Sequence, residues 1–115
     1  MRAVHHVQDS VVLITGAGQR LGAAAAARMM EEGWHVLVHV RSSVDAAQAL
    51  LDQAEATYGE SRGTLLVADL TEDEGLEHVV GEVLEHPLVQ SHGLAGIVHN
   101  ASFYSQSSFE ETSLE

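Results

Sequence analysis

Short apolar runs alternate with helical stretches along this chain, and that alternation restricts its fold more than any other feature. The first run, Val11-Val12-Leu13-Ile14, is β-branched and unbroken, as expected of a strand covered on both faces. Residues 21–32 are rich in Ala, with Leu21, Ala25, Met29 and Met30 at helical spacing and Gly33 placed to stop the helix. Residues 35–40 read as a second strand. Residues 43–58 read as a second helix, in which Val44, Ala47, Leu50, Leu51 and Ala54 recur at helical intervals. A third strand is expected over 64–68. Thr71-Glu72-Asp73-Glu74 has the form of a capping box, so a third helix should start there and end near Glu85 or His86, before Pro87. Residues 94–99 are a fourth apolar run, and the Ser-rich stretch 102–108 reads as a loop. Strand follows helix without a hairpin signal, which requires right-handed crossovers and a parallel sheet with helices on both faces. The fold class is therefore α/β, doubly wound.

The turn between the first strand and the first helix is Thr15-Gly16-Ala17-Gly18-Gln19-Arg20-Leu21-Gly22. A glycine-rich turn carries information in this context, because the amides of a helix N-terminus there face whatever anion the turn admits. Gly16 allows the sharp turn, Gly18 lets backbone approach a pyrophosphate, and Gly22 lets helix and strand pack closely. The second strand ends His39-Val40-Arg41-Ser42-Ser43, where an NAD-binding chain would carry an acid for the ribose hydroxyls. A guanidinium and hydroxyls there suit a 2′-phosphate instead, which points to NADPH. Read alone, Arg41 is equally a surface arginine, with Ser43 a helix N-cap.

Composition excludes several partners. With 5 basic residues against 17 acidic ones, the chain offers no basic face for nucleic acid or anionic lipid. It has no cysteine, hence no disulfide and no thiolate metal site. The scattered histidines form no pair in a metal-site context, and no metal is expected. The residues around His5, His6, Gln8 and Asp9 do not resemble a signal peptide, and no apolar run is long enough to span a membrane. A soluble, cytoplasmic protein is expected.

The Thr-Gly-x-x-x-Arg-x-Gly turn resembles that of the short-chain dehydrogenase/reductase family and, within it, the pteridine reductases, where arginine replaces a common glycine. The resemblance implies a Rossmann-type sheet, with Gly16, Gly18, Arg20, Leu21 and Gly22 against the cofactor phosphates and Arg20 also facing the pterin side. It implies that Arg41 and Ser42 hold the 2′-phosphate, and that Asp69 and Leu70 lie at the adenine ring. Asp69 stands equally where a helix-initiating acid belongs. The segment His99-Asn100-Ala101-Ser102-Phe103-Tyr104 is similar to the family's Asn-Asn-Ala-Gly, with Ser102 in place of Gly as in pteridine reductases. Asn100, Ala101 and Ser102 would then touch the cofactor, and Ser102 also the pterin. Tyr104 falls where a ring would stack on the pterin, with Phe103 its neighbour if the register slips by one; both could instead pack beneath a loop. His99 reads as a structural residue at the strand end.

The family's Tyr-x-x-x-Lys pair is not found in this sequence, which contains no lysine. Residues 1–9 are read as an N-terminal tail and 10–115 as a partial NAD(P)-binding domain, with the catalytic residues expected beyond Glu115 and the fragment inactive alone. The activity implied is NADPH-dependent reduction of a pterin by a protein that is a homo-oligomer in its full-length form. Another short-chain oxidoreductase, or a non-catalytic dinucleotide-binding module, remains open.

Overall fold

The computed structural model describes residues 10–17 and 20–99. In chain order these form β1 (Val11–Thr15), α1 (Arg20–Glu31), β2 (His35–Val40), α2 (Val44–Tyr58), β3 (Gly63–Val67), α3 (Asp73–Glu85), α4 (Pro87–His92) and β4 (Gly96–His99). The strands make one parallel sheet in the order β3-β2-β1-β4. The α/β doubly wound class is thus the one the alternation demands.

Because successive strand residues point to opposite faces, each unbroken apolar strand feeds two cores at once. Val12, Ile14, Val36, Val38 and Val40 pack with Ala26 and Met30 of α1 and Ala47 and Ala54 of α2. Val11, Leu13, Leu37 and Leu66 pack on the other face with Val79 and Val83 of α3, flanked by Leu88 and Val89 of α4. Fully burying a side chain of this kind is worth about 1.5–3 kcal/mol, so these two layers supply most of the drive to fold. Registers are fixed by the same alternation: Val11 stands beside His35 and Thr15 beside His39, so a slip of one residue would turn every valine to the wrong face.

Glycines end the first two helices, as expected of Gly33. Gly33 has φ of 101° and its amide donates to Met30 O, while the Trp34 amide donates to Met29 O, the paired bonds of a Schellman motif. Gly59, at φ of 75°, caps α2 by donating to Glu55 O.

One sequence expectation is corrected. The third helix does not begin with a capping box at Thr71: it opens at Asp73, and Glu72, in extended conformation, caps it without a side-chain hydrogen bond. Thr71 is drawn away because its amide and hydroxyl both donate to the Asp69 carboxylate, at 2.9 and 2.6 Å, a local turn that competes with the cap. Ser43 precedes α2 but makes no side-chain cap bond. Pro87, read as a stop after α3, also starts the six-residue α4; the His86 ring caps that helix by accepting from the Leu88 amide at 3.1 Å.

Candidate functional site

In the order β3-β2-β1-β4 the chain first winds outward from β1 to β3 and then returns to the other side of β1. The crossovers leaving β1 and β3 therefore diverge, and the carboxyl ends of β1 and β4 form the switch point at which doubly wound folds bind ligands. Thr15 and His99, paired in register at this point, meet through Thr15 Oγ1 and His99 Nδ1 at 3.0 Å. His99 is thus tied to the strand end, as its reading as a structural residue anticipates.

The glycine turn leaves β1 here. Gly16 has φ of 69°, a region open chiefly to glycine, and the following Ala17 is completely buried, its amide donating to His39 O at 2.9 Å. Gly22, on the first turn of α1, is buried, whereas Leu21 beside it is 73% exposed. Arg20 contributes the first backbone position of α1.

Arg41 and Ser42 follow β2 directly and are exposed at the same edge. Arg41 Nε lies 3.6 Å from Asp69 Oδ2. Hydrogen bonds from the Thr71 hydroxyl and then the Thr71 amide hold the Asp69 carboxyl below its ordinary range, with Arg41 adding to the effect. The Asp69 oxygens therefore serve first to shape the segment after β3. Leu70 packs partly against the α3 and α4 layer. At Gly75 a side chain would collide with the Asp69 carbonyl oxygen, so the first turn of α3 presses directly on this segment.

Sequence reasoning missed two of the groups that build this edge. His39 is 2% exposed: its Nδ1 accepts from the Gly16 amide at 3.3 Å and its Nε2 donates to Ala68 O at 2.9 Å. Gly75 is the other. The one available signal was a polar residue at an inward position of an otherwise aliphatic strand. Gly18, Asn100, Ala101, Ser102, Phe103 and Tyr104 lie outside the described residues. Among the described residues, no three His, Cys, Asp or Glu side chains are grouped to hold a metal, and no helix is long and apolar enough to cross a membrane.

A parallel doubly wound sheet with a glycine turn at its switch point defines a nucleotide-binding α/β protein. Residues 10–115 match the family model for short chain dehydrogenases, and the chain belongs to that family. An uncharacterized oxidoreductase, YuxG of Bacillus subtilis, is 31% identical over 105 residues, covering 91% of this chain and 14% of the relative. A dihydromonapterin reductase of Klebsiella pneumoniae is 33% identical over 95 residues, covering 83% of this chain and 35% of the relative. Among solved structures, FolM alternative dihydrofolate reductase 1 of Brucella canis, complexed with NADP, superposes with a TM-score of 0.69 at 27% identity, over 86% of this chain and 36% of that one. The chain thus spans well under half the length of these relatives.

Proposed function

We propose that residues 10–115 are the cofactor-binding part of an NADPH-dependent oxidoreductase whose substrate is a pterin. One observation carries the cofactor reading: the edge that receives the second ribose presents Arg41 and Ser42, exposed, where discrimination in favour of NAD calls for a carboxylate. Gly16, Gly18, Arg20, Leu21 and Gly22 would hold the pyrophosphate, Asp69 and Leu70 would border the adenine, and Asn100, Ala101 and Ser102 would line the nicotinamide side. When bound, the cofactor supplies a hydride. This chain's own residues bind and orient it, and Ser102 with Tyr104 or Phe103 would seat the flat heterocycle beside it. The NADP complex of the Brucella protein and the dihydromonapterin reductase relative support this reading.

Residues 1–115 contain no lysine and so no Tyr-x-x-x-Lys pair. The test is calorimetry on the full-length protein with NADPH and NADH, followed by titration of a dihydropterin into the NADPH-saturated form. Tighter binding of NADPH, then saturable pterin binding, is expected. NADPH binding without pterin binding would leave a short-chain oxidoreductase of different substrate; binding of neither dinucleotide would overturn the reading.

A further inference from the structure

We propose that His39 is a positioning residue, an imidazole cross-brace that sets the glycine turn and the end of β3 at a fixed separation and so fits the cradle to a dinucleotide; this rests on the nucleotide-binding reading above. His39 occupies an inward position of β2, on the same side of the strand as Leu37, among valines and leucines. Burying an imidazole there is costly unless both ring nitrogens are matched, and both are. The Gly16 amide can only donate and the Ala68 carbonyl can only accept. Nδ1 therefore accepts and Nε2 donates, and the ring is held in one orientation.

Its two partners lie on opposite sides of β2. Gly16 begins the turn at the pyrophosphate end of the proposed site, and Ala68 immediately precedes Asp69 and Leu70 at the adenine end. Backbone hydrogen bonds also join these segments to β2, from Ala17 N to His39 O at 2.9 Å and from Ala68 N to Val40 O at 3.1 Å, and these form with almost any side chain at position 39. The ring adds a tie that depends on the residue type at position 39, and it spans from one segment to the other through a single rigid group. A leucine would fill much of the same volume and supply neither tie.

The two nitrogens can be tested separately, because the Asn amide oxygen can stand near ring Nδ1 and the Gln amide nitrogen near ring Nε2. His39→Asn, His39→Gln and His39→Leu are compared with the parent in the full-length protein. The ligands are NADPH and adenosine 2′,5′-bisphosphate, which carries the adenine and the 2′-phosphate without the pyrophosphate bridge. Melting temperatures are recorded alongside. His39→Gln, keeping the Ala68 tie, should hold the bisphosphate within about threefold while weakening NADPH roughly tenfold; His39→Asn should weaken the bisphosphate, and His39→Leu both ligands. The nitrogen spectrum of the parent should show His39 protonated on Nε2. Unchanged affinities in His39→Leu, or losses for both ligands that follow the fall in melting temperature equally in all three variants, would reduce His39 to a packing residue, as would protonation on Nδ1. A parent that binds neither ligand overturns the nucleotide reading, and the inference with it.

Discussion

Arg41 and Asp69 face each other across the open ends of β2 and β3, Nε to Oδ2 at 3.6 Å, with the arginine side chain 70% exposed. A pair so exposed and so long contributes little to stability, which leaves the guanidinium able to turn toward a phosphate. Removing one charge-assisted partner of a 2′-phosphate should narrow the preference for NADPH over NADH by about tenfold in Arg41→Ala. Arg41→Asp should abolish or reverse the preference, because the new carboxylate repels the phosphate and accepts from ribose hydroxyls. Calorimetry with both dinucleotides measures this; equal affinities in the parent would remove the argument.

Two glycines of α3 should respond in opposite directions to the same change. Gly81→Ala meets nothing within 4 Å and improves helix propensity, so it should stabilise the protein by roughly 0.5–1 kcal/mol. Gly75→Ala drives a methyl group into the Asp69 carbonyl, and backbone cannot yield as a flexible side chain does; a loss of about 1–3 kcal/mol is expected. Since the displaced segment borders the proposed adenine site, NADPH affinity should fall in Gly75→Ala and hold in Gly81→Ala. Thermal melts with and without NADPH test both arms.

At the amino end of the strands, the pKa of His35 is lowered from 6.5 to about 4, first by burial and then by the neighbouring His86. The rings are 5.2 Å apart, and Thr64 Oγ1 lies 3.0 Å from an Nε2 of each. Between pH 6.5 and about 4 the unfolded chain takes up a proton on this residue that the folded protein refuses. Stability should therefore be full above that window, decline as pH falls through it, and level off below. Urea midpoints at about pH 7.5 and about pH 5 should differ more in the parent than in His35→Asn. An equal difference in the two proteins would assign the acid sensitivity to other groups.

For the substrate, Tyr104→Ala should weaken a dihydropterin or folate analogue by about tenfold or more in the NADPH-saturated full-length protein, because a stacked ring adds on the order of 1 kcal/mol beyond its buried area. NADPH affinity should change much less. An effect confined to Phe103→Ala would move the stacking position by one residue, and a parent without pterin affinity would end the pterin assignment.

The parts of the fold that sequence reading captured are those governed by near neighbours. β2 was expected over the residues it occupies, and the helices ended at Gly33, at Tyr58 and before Pro87, because periodicity and terminators act within a few positions. The glycine turn and Arg41 were legible for the same reason: each follows a strand directly. What was missed depends on partners remote in sequence. His39 finds Gly16 at a separation of 23 residues and Ala68 at 29, and Thr64 finds His86 at 22, so no local pattern marks them. The Thr71 cap failed over a shorter range: its amide could be claimed by the Asp69 carboxylate behind or, in a capping box, by the Glu74 carboxylate ahead, and composition does not say which.

The sheet order also bears on how this protein is made. Two of the three ladders, β1 with β2 and β2 with β3, join neighbours in the chain through a single helix, whereas Thr15 must wait 84 residues for His99. Contacts closed over such a span are slow to form, so during synthesis β1 emerges with one flank unoccupied and remains so until β4 has cleared the ribosome. Its apolar side chains are exposed to wrong partners throughout that interval, and the switch point between β1 and β4 comes into being only when it closes. Slowing translation anywhere before β4 should therefore raise the demand for chaperones, while a pause after β4 has emerged should not.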